Sequence, residues 1–282
     1  MKDSLLEYKK EKEFLICVDS DGCAMDTMDC KHIHCFGPCM VAEWHLEEWE
    51  EAILKRWNDI NLYTITRGIN RFKGLAMALT EINETYTKIE GLAEIVDWAD
   101  NSPELSERNL KANLEKEYKV GLDKALKWSQ AVNVAITKLP EEEKVPFAGA
   151  LEGLRAAHTV ADVAIVSSAN REAVLEEWEQ HKLLENVDIV LTQEVGSKAV
   201  CIEKLLEKGY KPENVLMVGD AKGDSDAAAK NGVYYYPILV KREKESWDRF
   251  QEEALEAFTS GQYKAYGEKM QEEFLRNLGV EA

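Results

Sequence analysis

Residues 14–18, Phe-Leu-Ile-Cys-Val, form an uninterrupted apolar run that reads as a strand buried on both faces, as in the middle of a parallel sheet. From residue 25 to residue 140 no further strand is convincing, so the sheet neighbours of this first strand must come from far along the chain. Asp19 and Asp21 close the run, and Gly22 permits a positive-φ turn directly after them. Open α/β sheets carry their ligands at the carboxyl ends of their strands. Two carboxylates one residue apart at such an end can hold a divalent cation and do nucleophilic or proton-transfer chemistry. They are also ordinary turn residues, and the stretch by itself leaves both readings open.

The long interval reads as helical. Ala42, Leu46, Trp49, Ile53 and Trp57 recur at three- and four-residue steps and predict an amphipathic helix over 41–57. Phe72, Leu75, Leu79 and Ile82 predict another over 71–86, with a loop at 63–71 that carries Arg67, Asn70 and Arg71. Residues 104–138 hold one long helix or two, with Leu122, Ala125, Leu126, Ser129, Val132 and Ile136 on one face. Pro140 and Pro146 close the block.

Helix and strand patterns then alternate. Strands are expected at 160–166, 187–191, 215–218 and 233–236, and helices at 149–157, 171–181, 199–208 and 226–231. Strands separated by helices imply right-handed βαβ units and a parallel sheet. The expected organisation is therefore a discontinuous α/β core from residues 1–24 and 145–240, interrupted by a helical insertion over 25–144. A charged helical tail over 241–282 would pack on the body through Trp247, Phe250, Leu255 and Phe258. An insertion joined by two nearby crossings suits a cap that opens and closes over the strand ends.

With 35 basic against 53 acidic residues and a formal charge of −18, nucleic acid and anionic membranes are disfavoured as main partners. Any phosphate site must then be a local exception with its own cation or basic residue. Apolar runs are too short to span a bilayer, and the first residues lack a signal-peptide apolar core, so a cytoplasmic location is expected. Four of the six cysteines (Cys23, Cys30, Cys35 and Cys39) crowd one stretch with His32 and His34. Their spacing lacks the paired short intervals of structural zinc sites, and they read as small apolar thiols in a loop and helix start, with zinc as the alternative.

Four features fall at strand ends or helix starts: Asp19-Ser20-Asp21-Gly22, Ser167 closing Ile165-Val166, Lys198 after Gly196-Ser197, and Gly219-Asp220-Ala-Lys-Gly-Asp224. In order and surroundings they resemble the four motifs of the haloacid dehalogenase superfamily, over most of residues 14–237. The resemblance implies a Rossmann-like three-layer core with a parallel sheet and an inserted all-helical cap of the first type. Oxygen-only ligands at Asp19 and Asp220 favour Mg²⁺. Asp19 would attack phosphorus, and Asp21 would protonate the leaving oxygen and then deprotonate water. The resemblance implies that Asp21 also gives the metal its backbone carbonyl. Ser167, with neighbouring backbone N–H groups and Ser168, would bind phosphoryl oxygens, and Lys198 would neutralise their charge. Asp224 would be a further metal ligand or its support. Arg67 and Arg71 are candidates for the substrate's non-reacting part.

Each residue also has a plainer role open to it. Ser167 could cap a helix, Lys198 could be a solvated surface residue, and Asp220 and Asp224 could cap a helix. The function expected is Mg²⁺-dependent hydrolysis of a small phosphate monoester such as a sugar phosphate, through an aspartyl phosphate. A phosphosugar mutase on the same scaffold and a catalytically idle binding protein are the alternatives. The presence of Asp21 argues against phosphonate cleavage and dehalogenation, because the resemblance implies that those branches lack it.

Overall fold

The computed structural model describes residues 5–280. It divides into two compact units: the chain up to Met28 together with the chain from Glu141 on, and Asp29–Pro140.

The first unit is built on a five-stranded parallel sheet in the order β3-β2-β1-β4-β5. The strands are β1 (Phe14–Val18), β2 (Ala161–Val166), β3 (Ile189–Leu191), β4 (Val215–Gly219) and β5 (Tyr234–Pro237). Each lies within a residue or two of its expected position. β1 occupies the centre, with Val18 paired to Ile165 on one side and to Val218 on the other. Central strands covered on both faces are apolar throughout, which explains the unbroken run at 14–18. On one face Ile16 and Val18 join Val163, Ile165, Leu216 and Val218 in a core with Leu154, Trp178, Trp247, Phe250 and Phe258. Leu15 and Cys17 alternate to the other face and are equally buried.

The helices of this unit are Ala150–Val160, Arg171–Gln180, Lys198–Leu206 and Lys222–Asn231, followed by Glu243–Arg249, Leu255–Thr259 and Tyr263–Asn277. The helix expected from Asp226 starts four residues earlier, at Lys222, which puts Asp224 inside its first turn. Lys198 is likewise the first residue of its helix, after an N-cap at Ser197 whose hydroxyl accepts from Val200 N at 3.4 Å.

The Asp29–Pro140 unit has its own core. Edge-to-face aromatic pairs run through it, with Trp57 and Trp128 at 6.0 Å and Phe72 and Trp98 at 5.1 Å. The single helix expected over 41–57 is two, Gly37–Trp44 and Glu50–Asn58. His45 breaks the run in the left-handed region at φ 57°, and its N–H returns to Val41 O. Leu46 and Trp49 keep the helical spacing in sequence but belong to the connection, where Leu46 is fully buried. The 104–138 stretch is also two helices, Glu107–Lys116 and Val120–Ile136. A further helix, Leu92–Asn101, starts after Gly91 and packs on the Val120–Ile136 helix. Its close approach requires glycine on both sides, because a Cβ on Gly121 would lie 2.1 Å from Gly91 O.

Candidate active site

β1 and β4 are neighbours, so the residues that follow them emerge side by side. The Asp19 N–H extends the ladder to Val218 O at 3.0 Å. Asp220 follows β4 directly and is 1% exposed. Asp224, in the next helix's first turn, folds back over Gly219: a Cβ there would stand 2.3 Å from Asp224 Cγ. One Asp224 oxygen accepts from Ala221 N at 3.1 Å, capping its own helix. One oxygen each from Asp19, Asp220 and Asp224 lie within 4.8 Å of one another, and all three residues are buried.

Lys198 reaches this trio from the other side of β1. Its ammonium lies 2.7 Å from Asp19 Oδ2 and 2.5 Å from Asp224 Oδ1. Burial pushes the Asp19 carboxyl well above the usual carboxylate range; Lys198 opposes this, and Asp224 and Asp220 add to it. Burial alone would lower the Lys198 pKa, but the Asp19 and Asp224 carboxylates outweigh it and hold the ammonium well above the ordinary lysine range. Three carboxyl groups thus face one lysine in a largely buried site. The donors are all oxygen and converge from two strand ends, so a hard divalent cation fits them.

The Asp21 carboxylate stands apart from that trio and is half-buried. It accepts a hydrogen bond from the Thr27 hydroxyl. Its turn is short and heavily bonded: Gly22 sits at φ 79°, and Ser20 O accepts from the N–H groups of Cys23, Ala24 and Met25.

Ser167 leaves β2 beside β1 at the same sheet edge and is 2% exposed. Its hydroxyl accepts from Ala169 N at 3.1 Å, while Asn170 caps the Arg171–Gln180 helix. Ser168 is exposed.

Arg67, Asn70 and Arg71 lie in the other unit and are engaged there. Arg67 is buried, donates to Leu62 O at 2.8 Å and stands 3.8 Å from Asp29 Oδ1. Arg71 donates to Asn133 Oδ1 at 2.9 Å and to Ser129 Oγ at 3.3 Å, with its guanidinium over the Phe36 ring. Asn70 caps the Arg71–Thr85 helix through Phe72 N. Among the described residues, the trio of aspartates is the one group of three or more His, Cys, Asp or Glu that converges as a metal site would, and the Cys/His-rich stretch forms none.

Two tryptophans hold the first turn, Trp247 expected only as a packing anchor and Trp178 not singled out by the sequence. Trp178 Nε1 donates to Ser20 Oγ at 2.8 Å, and Trp247 Nε1 donates to Cys23 O at 3.0 Å. Only the abundance of tryptophan in so short a chain could have hinted at these bonds.

The family model for haloacid dehalogenase-like hydrolases matches residues 98–237. Over those residues the chain is similar to that family, and the parallel sheet and the acidic cluster at its strand ends agree with the match. Among solved structures, a haloacid dehalogenase-like family hydrolase from Xanthomonas campestris is similar at a TM-score of 0.51 and 14% identity, with 91% of this chain and 98% of that chain covered. A haloacid dehalogenase-like hydrolase from Streptococcus pneumoniae gives a TM-score of 0.44 at 14% identity, covering 84% and 90%. These are likenesses of fold. No curated protein matches the chain. Among the described residues no helix is long and apolar enough to cross a membrane.

Proposed function

We propose that this hydrolase is a Mg²⁺-dependent phosphatase acting on a small phosphate monoester, such as a sugar phosphate, through an aspartyl phosphate at Asp19. The observation that carries the reading is the buried trio Asp19, Asp220 and Asp224 joined by Lys198. A dianionic ester would be repelled from three carboxylates unless cations balance them. Asp19, Asp220 and Asp224, with the Asp21 carbonyl, would hold Mg²⁺, and the ion supplies charge neutralisation for the phosphoryl oxygens and the nucleophile.

The chain's own groups would do the rest. Asp19 is fixed by its backbone bond to β4 and by Lys198, so its carboxylate meets phosphorus with little reorganisation. Lys198 lies between Asp19 and Asp224, which suits it to screen the nucleophile from the incoming anion. Ser167 lies at the same edge, suited to bind a transferring oxygen. Asp21 is half-buried and accepts from the Thr27 hydroxyl, which suits a group that must both give and take a proton.

The test is a panel of phosphorylated small metabolites, with phosphate release measured with Mg²⁺, with EDTA, and with the Asp19→Asn chain. Release should require Mg²⁺, and Asp19→Asn should lower turnover by roughly 10⁴-fold or more with an unchanged circular dichroism spectrum. No release across the panel, or turnover by Asp19→Asn within tenfold of wild type, would overturn the reading.

A further inference from the structure

The chain beyond residue 237 lies outside the family match, yet it touches both acidic turns. Trp247, in the Glu243–Arg249 helix, is fully buried. It sits in a notch cut into the Ala150–Val160 helix and its N-terminal approach. A Cβ on Gly153 would lie 2.5 Å from its Cε3, and one on Gly149 would lie 3.0 Å from its Cβ. From this notch the indole N–H reaches Cys23 O at 3.0 Å. Cys23 is two residues past Asp21, and its thiol meets Val218 O at 3.6 Å. That carbonyl also accepts the Asp19 N–H. A single indole therefore fixes the loop that carries Asp21 against the strand end that carries Asp19.

The same segment reaches the second turn. The Gln271 amide and the Ser225 hydroxyl lie 3.1 Å apart, beside Asp224. Phe274 packs edge-on against Tyr235, with ring centroids 5.5 Å apart, and the Tyr235 hydroxyl donates to Gly219 O at 3.0 Å. Tyr263 OH donates to Tyr235 O at 2.8 Å.

We infer that the C-terminal segment Glu243–Asn277 is a positioning element of the active site, and that the Trp247 N–H holds the Asp21 loop in its working arrangement. This rests on the phosphatase reading for its kinetic consequence and on the geometry alone for the tie itself. Trp247 does not meet the substrate. Loss of its N–H frees the Cys23 carbonyl and lets residues 21–25 move, which should lower the rate of proton transfer while leaving the acidic trio and substrate binding in place.

The experiment compares full-length wild type, Trp247→Phe and Val187→Ala. Val187→Ala removes packing from the same apolar core, outside the C-terminal segment and the loop. A fourth chain carries 3-benzothienylalanine at position 247, which keeps the ring volume and removes only the donor, so a folding defect in Trp247→Phe leaves the question answerable. Two readouts are taken: kcat and KM on the best substrate of the panel, and hydrogen exchange of the Cys23, Ala24 and Met25 amides. Both position-247 chains should lose about tenfold in kcat, the size of one buried hydrogen bond, with KM within about twofold. Those three amides should exchange at least about tenfold faster than in wild type. Val187→Ala should lower the thermal midpoint and leave both readouts unchanged. If the benzothienyl chain keeps wild-type kcat, or wild-type exchange in the loop, the inference is overturned. A wild-type chain without turnover on the whole panel sinks the phosphatase reading, and the exchange comparison then decides whether Trp247 holds the loop.

Discussion

The turn after β1 and the turn after β4 end adjacent parallel strands and deliver acidic residues to one place, but they are held by different means. In the second turn the carboxylate of Asp224 is held by its own neighbours, while remote side chains, Lys198 aside, reach only the turn's flanks at Gly219 O and Ser225. Asp224 caps the helix it belongs to, leans on Gly219 a few residues back, and takes one ionic partner, Lys198. The first turn has its own backbone bonds around Ser20 and a local bond from Thr27 to Asp21, yet two of its side-chain anchors, Trp178 and Trp247, come from remote parts of the chain. On the proposed reading the second turn would present a metal ligand on short-range bonds. The first would present a proton-transfer group set in part by the surrounding fold, and so sensitive to changes far away in sequence.

Breaking the second turn at its closest approach should give the largest effect. Gly219→Ala places a Cβ 2.3 Å from Asp224 Cγ and forces either the strand end or the carboxylate to shift. We expect a loss of about 1–3 kcal/mol in urea unfolding, together with loss of Mg²⁺-dependent turnover, because Asp224 and Lys198 are displaced together. A chain with wild-type stability and activity would show that the close approach is not a constraint.

Trp178→Phe sharpens the comparison from the other side. The buried Ser20 hydroxyl loses its donor, at a cost of about 1–3 kcal/mol with no change in the acidic trio. Adding Ser20→Ala should return part of that loss, since removing both partners costs less than stranding one. Additive losses in the double variant would mean that the 2.8 Å contact does not couple the two residues.

The smallest effect is expected at the surface of the helix that carries Trp247. The Arg242 guanidinium holds the Glu245 carboxyl down to about 2, with Arg249 adding to the attraction. A carboxyl whose pKa is lowered on folding contributes stability above its unfolded value and loses it as pH falls through the folded one. Glu245→Gln should therefore lower the thermal midpoint slightly at neutral pH, and the difference should close as pH falls toward about 2. A gap that persists in acid would assign it to packing rather than charge.

The difference between the turns also explains what the sequence discloses. Asp19, Asp21 and Gly22 follow a buried strand directly, and Gly219, Asp220 and Asp224 run from the end of β4 into the first turn of the next helix, so their grouping follows from local pattern. Lys198 and Ser167 become legible once the strand order is assumed, since each closes or opens an element on the same sheet edge. The bonds of Trp178 and Trp247 to the first turn are not legible, although Trp247 reads as an anchor on the body, because their partners lie 158 and 224 residues away and nothing in apolar periodicity separates a core indole from one that donates to a loop. The break at His45 was hidden for a related reason. Leu46 and Trp49 continue the apolar spacing through a connection that contains neither glycine nor proline. The Leu92–Asn101 helix depends on the mutual fit of Gly91 and Gly121, a pairing of two small residues that periodicity does not register.

The central place of β1 has a consequence for how the chain is made. Both of its partners, β2 and β4, are translated after the entire Asp29–Pro140 unit. At about 5–20 residues per second, the interval between residue 18 and residue 161 is on the order of ten seconds. Throughout it, five apolar residues have no strand to pair with, while the helical unit, whose contacts are nearer in sequence, can already close on itself. On the ribosome the other four strands of the sheet must therefore be received by β1, which waits unpaired for them.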